Sequence, residues 1–281
     1  MPTEVALAVL FGALLHATWN TLVKASADKL TLTVLVCCAA GLWALPAVLL
    51  LPVPQPESWR FIVQSTLIHL FYFSFVGLAY ARVDLSVAYP LMRGLPPLAT
   101  AALAFVWLGE GMSLLALAGV GLVSAGVMAL LAESSRSGAL DRRALGVVLV
   151  VAATVVAYTL NDALGARASG HAGAYVAWLL LLIAPGMLAV GLATRGPAPL
   201  WSAARSSWKI ALLGGACTAV SYGITLWAMK HAPVALVAAL REVSVILGLL
   251  IAAVVLRERF GWVRILAVGL VAAGAMAIKG G

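Results

Sequence analysis

Val120-Gly121-Leu122-Val123-Ser124-Ala125-Gly126-Val127-Met128-Ala129 returns 148 positions later as Val268-Gly269-Leu270-Val271-Ala272-Ala273-Gly274-Ala275-Met276-Ala277, with eight of ten residues identical. The register holds without a gap over Arg82–Leu130 and Lys230–Ile278, so that Arg93 falls on Arg241, Leu108 on Leu256 and Glu110 on Glu258. Apolar residues match by chance in a hydrophobic chain. A paired arginine and a paired glutamate in one unbroken register do not. A fixed internal period in such a chain is the pattern of a protein whose two halves enclose one central site.

The composition demands a membrane. The chain has 281 residues, 64% hydrophobic and 10% charged, with a mean hydropathy of +1.08. A soluble globule carries about 25% charged residues, so lipid must solvate most of this surface. The net charge of +8 lacks the clustered, aromatic-interleaved basic patches of a nucleic-acid binder. Cys37, Cys38 and Cys217 lie in apolar runs and form neither a disulfide framework nor a metal motif. The opening Met-Pro-Thr-Glu has no basic n-region, so the first apolar segment reads as a retained helix.

A span needs roughly 20 apolar residues. Ten are expected, near 3–24, 31–51, 60–80, 85–107, 112–132, 143–164, 172–193, 207–228, 233–256 and 261–279. These runs do not alternate as barrel strands would, so the expected class is all-α and integral to the membrane. The polar stretch 133–142 separates a first five-helix repeat, 1–132, from a second, 143–281. Prolines at 52, 54, 56, 197 and 199 mark loops. Five helices per repeat is odd, so the second repeat is expected to be inverted.

The basic residues orient the chain. Lys24, Lys29, Arg82, Arg136, Arg142, Arg143, Arg195, Arg205, Lys209, Arg257, Arg259 and Arg264 fall on one side, and only Arg60, Arg167, Lys230 and Lys279 on the other. The richer side is expected in the cytoplasm, which puts both termini in the periplasm if the membrane is a bacterial inner membrane.

Arg93 and Arg241 remain, about eight residues inside spans four and nine and so roughly 12 Å deep. A charge at that depth must face a cavity or a partner. Two readings stay open: a bidentate clamp for a carboxylate or phosphonate, or a structural ion pair of Arg93 with Glu242 or Asp162. Span four carries Pro90, Pro96 and Pro97 around Arg93, which predicts a helix broken at a substrate site; span nine has no internal proline. Further candidates line up at helical spacing: His16, Trp19 and Asn20 in span one; His69 and Tyr72 in span three; Tyr89 in span four; Tyr158 and Asn161 in span six; Tyr222 in span eight; Glu242 in span nine. An overlay at 141 puts Thr18 on Thr159 and Asn20 on Asn161, with interhelical hydrogen bonding as the plainer role for such residues. Asp162, near the expected end of span six, reads as a solvated carboxylate. Among groups able to exchange a proton, His16, His69, Asp162 and Glu242, the last is the deepest carboxylate. Gly119, Gly121, Gly126, Gly269 and Gly274 are spaced for close helix contact, and Glu110 and Glu258 read as caps.

Leu108-Gly109-Glu110, the glycine-rich fifth span and the repeat at Glu258 resemble the ten-helix EamA-type branch of the drug/metabolite transporter superfamily, and His16-Ala17-Thr18-Trp19-Asn20 is similar to one of its subgroups. The chain departs from it at Leu256-Arg257-Glu258, where the family often keeps glycine before the glutamate. The resemblance implies a secondary transporter, exporting amino acids or related zwitterions by alternating access with proton coupling. A carrier of organic cations using aromatic faces, or a lipid-handling protein, are the alternatives. No hydrolase triad, P-loop or zinc motif is visible, so neither an enzyme nor a cofactor or metal is expected. The partners expected are a small-molecule substrate, protons and membrane lipid, for a monomer or homodimer.

Overall fold

The computed structural model describes residues 1–82, 85–131, 142–256 and 261–281; of 77–82, 85–90, 142–144 and 252–256 it describes the backbone alone. The linker after residue 131, Glu258 and the side chain of Tyr89 therefore lie outside the described residues. The chain is all-α. Its helices are α1 (Thr3–Lys24), α2 (Lys29–Leu50), α3 (Trp59–Arg82), α4 (Leu85–Leu108), α5 (Leu114–Ala129), α6 (Arg142–Ala168), α7 (Ala172–Arg195), α8 (Pro197–His231), α9 (Val234–Arg241), α10 (Val243–Leu256) and α11 (Trp262–Gly280). Helices α9 and α10 together make the ninth of ten spans. Among the described residues, eight helical stretches are long and apolar enough to cross a membrane. Large apolar side chains cover the outside, among them Leu49, Leu114 and Trp262, each more than 80% exposed, a surface that only lipid can solvate.

Two boundaries differ from expectation. Pro197 and Pro199 open α8 rather than a loop; proline fits the first turn, where its missing N–H would have no partner in any case. At 35 residues, α8 runs about 52 Å and outreaches a hydrocarbon core of about 30 Å. Its first turns carry exposed Trp201 and Trp208, with Arg205 and Lys209 lying over their rings, an arrangement suited to the interface. Helix α6 continues to Ala168, which places Asp162 inside it.

Helices α5 and α11 cross in close contact through glycine. A methyl built on Gly126 would lie 2.9 Å from the Ala267 carbonyl oxygen and 2.7 Å from Val271 Cγ2. One built on Gly274 would lie 2.7 Å from the Gly119 carbonyl oxygen and 2.8 Å from Val123 Cγ2. The offset of 148 carries each of these contacts onto the other. Gly121 and Gly269, related by the same offset, face nothing within 4 Å.

The bundle is tied at both ends. At one, Asp28 caps α2 by accepting from the Thr31 N–H at 3.1 Å and pairs with Arg195 at the end of α7 at 2.9 Å. The hydrogen bonds from Arg195 hold the Asp28 carboxyl at about 2, below its ordinary 3.8. The pair is two-fifths exposed, so solvent screens most of its contribution. At the other end, Gly109 closes α4 with φ +64°, a conformation that favours glycine. The turn brings Glu110 to the start of α9, where its carboxylate accepts from the Val234 N–H at 2.7 Å and pairs with Arg167 at 2.6 Å. Arg167 in turn donates to the Met229 carbonyl at 2.9 Å. One carboxylate thus joins the ends of α4, α6 and α8 to the start of α9.

The glycine contacts generate a test. Gly126→Ala and Gly274→Ala must push backbone or a branched side chain aside, and each is expected to cost about 1–3 kcal/mol. Gly121→Ala and Gly269→Ala should be neutral or stabilising by up to about 1 kcal/mol, because alanine is the better helix former. Thermal unfolding of the four variants in detergent separates the pairs; equal losses at all four would deny the contact role.

Candidate functional site

The ninth span breaks at its charged residues. The Glu242 N–H bonds the Ala239 carbonyl at 3.0 Å, and the Val245 N–H bonds the Glu242 carbonyl at 2.9 Å. Both reach back three residues instead of four, and the tightened turn separates α9 from α10. The break expected in span four is absent: α4 is helical from Leu85 through Leu108, with Pro90, Pro96 and Pro97 inside it. Those prolines still matter. Pro96 and Pro97 have no N–H, so the carbonyls of Met92 and Arg93 lose their helical donors beside the site.

Arg93 and Glu242 meet across the middle of the bundle. Nε of Arg93 lies 2.9 Å from Oε2 of Glu242, and both side chains are only 6% exposed. Arg241 is buried too, at 7% exposure. Among the described residues no carboxylate lies within ion-pair distance of it, and its Nε has no hydrogen-bond partner. Its guanidinium instead stands 5.8 Å from the centre of the Tyr222 ring, within cation–π range. Two buried cations thus stand near one carboxylate, which pairs with Arg93.

All three groups line one cavity. Its walls are Arg93, Pro96, Pro97 and Thr100 from α4; Val155, Tyr158 and Thr159 from α6; Ala238 and Arg241 from α9; and Glu242 at the break. The volume is about 10 Å³, room for about one water. At that size the cavity holds a metabolite only if its walls part.

Behind Tyr158 lies a second polar cluster. Asp162 is fully buried and accepts hydrogen bonds from the Tyr175 hydroxyl at 2.8 Å and from the Tyr222 hydroxyl. The His69 ring stacks against Tyr158 at 4.6 Å and meets Tyr222 edge-on at 5.8 Å. Its Nδ1 lies 2.9 Å from the Ser65 carbonyl and 3.1 Å from the Ser65 hydroxyl. Tyr222 belongs to both clusters, with its hydroxyl on Asp162 and its ring under Arg241. The solvated-carboxylate reading of Asp162 is therefore replaced. The signal that would have found it is its position four residues after Tyr158, on the same helical face.

The remaining candidates divide. His16, on α1, lies within electrostatic reach of both Arg93 and Arg241. Tyr72 packs edge-on to Tyr158 at 5.7 Å. Trp19 turns aside: its indole N–H donates to His16 Nδ1 at 3.3 Å, and its ring packs on Leu32, Val36 and Ala211. The Asn20 amide is bound to the His16 carbonyl one turn back, at 2.8 Å. Asn161 bridges α6 to α3 through the Phe61 carbonyl at 2.8 Å. These three bind neighbouring helices or their own, and none of them lines the cavity. Thr100 and Thr159, which do, were not singled out from the sequence as cavity residues.

The pair Arg93–Glu242 joins the halves and is testable by itself. Removing one partner strands the other in a buried site, and Arg93→Gln is expected to cost about 3 kcal/mol or more. Adding Glu242→Gln removes the stranded charge, so the double variant should be more stable than the Arg93→Gln single. A double-mutant cycle on unfolding in detergent reads this, and additive losses would mean that the two groups do not interact.

Residues 144–279 match the EamA-like transporter family. A solved structure described only as "Crystal structure of protein" superposes with a TM-score of 0.75 at 20% identity, covering 98% of this chain and 95% of that one; at that identity the likeness is one of fold. No curated protein matches the chain. The second half of the chain, residues 144–279, thus carries an EamA-like transporter domain, which places it in the drug/metabolite transporter superfamily, and the shared fold extends over nearly the whole length.

Proposed function

We propose that this chain moves small zwitterions of the amino-acid type across a bacterial inner membrane, by alternating access between two inverted five-helix repeats and coupled to protons. The observation that carries the reading is Arg241, a buried guanidinium that lines the cavity with no carboxylate in ion-pair distance among the described residues. An unpaired charge at that depth is costly, and a cargo carboxylate would relieve the cost through a bidentate pair. Glu242, on the same wall, offers the cargo's ammonium group a partner in competition with Arg93. Two arginines at one cavity disfavour an organic cation, and a cavity walled by charged and hydroxyl groups disfavours a lipid. Opposite ties at the two ends of the bundle, Asp28–Arg195 and Glu110–Arg167, are suited to opening in turn while the centre holds the cargo.

Ligand stabilisation tests the cargo. Purified protein is heated with a panel of L-amino acids, with each amino acid's amide, and with choline. The expected result is a raised melting temperature with at least one amino acid and none with its amide, which lacks the carboxylate. Arg241→Gln should abolish that shift while the protein still folds, and Arg241→Lys should restore it only in part, because a point charge lacks the planar fork. Stabilisation by choline and the amides alone would reverse the reading.

Orientation is tested separately. A reporter active only in the periplasm, fused after Gly281, should be active, and its cytoplasmic counterpart silent. The opposite pattern would invert the topology.

A further inference from the structure

Asp162 is a fully buried carboxyl in a membrane helix, and among the described residues no cation lies within ion-pair distance of it. Four neighbouring helices bring polar groups to it or to the tyrosines around it. Helix α7 supplies the Tyr175 hydroxyl and α8 the Tyr222 hydroxyl, one on each carboxylate oxygen. Helix α3 supplies His69, packed against Tyr158 and Tyr222 and within electrostatic reach of Asp162. Helix α9 supplies Arg241, on the face of the Tyr222 ring. Glu242 is the other buried carboxyl among the described residues, but it is held against Arg93.

Hydroxyl donors suit a carboxyl that changes state. When Asp162 is ionised, both tyrosines donate to it. When it is protonated, its own O–H donates to one tyrosine oxygen, and that hydroxyl rotates to another acceptor. Neither state leaves the carboxyl unsatisfied. An arginine partner, by contrast, would hold the ionised form throughout.

We propose that Asp162 is the proton-binding site of this transporter, linked to the cargo site through Tyr222 and Arg241. This rests on the reading of Arg241 as the cargo-carboxylate site. The sign of the linkage follows from charge. With Arg241 unpaired, its positive field favours ionised Asp162. A carboxylate on Arg241 cancels that field, and Asp162 then takes up a proton from solvent more readily. By reciprocity, a protonated Asp162 strengthens carboxylate binding at Arg241. Proton and cargo load together, so under a proton gradient the cargo travels in the direction of the proton, against the export direction that the family resemblance implies.

The decisive measurement needs no cargo. Infrared spectra of the purified protein are recorded across pH, unlabelled and with carboxyl-labelled aspartate, a label confined to Asp28, Asp84, Asp141 and Asp162. The expected result is a protonated-carboxyl band that grows as pH falls, shifts with the label and is missing in Asp162→Asn. Its midpoint should rise by about one pH unit, a tenfold change in proton affinity, in Arg241→Gln, which removes the cation, and in Tyr222→Phe, which removes a donor. A labelled band that persists in Asp162→Asn, or a midpoint unmoved in Arg241→Gln, overturns the proposal. If Asp162→Asn does not fold, the Tyr222→Phe and Arg241→Gln shifts of the labelled band in otherwise wild-type protein decide it. Titration of His69 instead would show as an imidazole signal with no labelled carboxyl change, and that outcome also overturns it. Should the band behave as expected while no amino acid stabilises the protein, the cargo reading fails and the proton site stands. Where an amino acid does bind, its affinity should rise as pH falls in wild type and lose that dependence in Asp162→Asn.

Discussion

The contact between Arg93 and Glu242 at 2.9 Å is the constraint on which the centre of the molecule depends. It crosses from α4 to the turn between α9 and α10, and so holds the proline-rich part of one half against the broken span of the other. Alone, neither charge could stay at that depth. Paired, they fix the walls of the cavity and leave Arg241 beside them without a carboxylate of its own. The break at Glu242 belongs to the same arrangement. Two hydrogen bonds of the shorter kind tighten the backbone there, and the carboxylate and the guanidinium of adjacent residues then serve one cavity although they project about 100° apart on a regular helix.

Around this charged centre the scaffold is apolar and close-packed. Helices α5 and α11 approach through Gly119, Gly126 and Gly274, where carbonyl oxygens of one helix lie against the α-carbons of the other. In lipid there is no hydrophobic gain from bringing two apolar helices together, so such close packing must supply the cohesion. The contacts are exchanged by the offset of 148, residue for residue. This gives the two halves a common frame, within which the charges need not be symmetric.

Much of this was legible in the residues. The apolar runs located the spans because backbone polar groups in lipid leave helix as the economical choice. The depth of Arg93 and Arg241 marked them because charge is costly there, and the ion pair to Glu242 was one of the two readings open for Arg93. What was not legible is direction around a helix. His16, Trp19 and Asn20 share a face, yet only His16 reaches the arginines, because which neighbour a face meets is decided by packing. The prolines of α4 suggested a break that the helix does not have; what they remove is donors, and the break falls in the span without internal proline. Asp162 was read as peripheral because the apolar run seemed to end near it. Helix α6 continues to Ala168, and Asp162 within it meets hydroxyls of α7 and α8 instead of water.

The asymmetry between the halves is where chemistry enters. The position equivalent to Glu242 is Gly94, and a side chain there would strike Met128 Cγ at 2.8 Å. Of the two arginines related by the repeat, only Arg93 pairs with Glu242 among the described residues, and a second negative charge must come from outside the symmetry. Asp162 supplies it, at a position whose counterpart in the weaker overlay is Thr21. With Asp162 ionised, Arg93, Arg241, Glu242 and Asp162 sum to zero, the state that a low-dielectric interior favours. Glu242 is tied to an arginine, whereas the hydrogen bonds to Asp162 among the described residues come from the Tyr175 and Tyr222 hydroxyls. Tyr222, with its hydroxyl on Asp162 and its ring under Arg241, is the side chain that touches both.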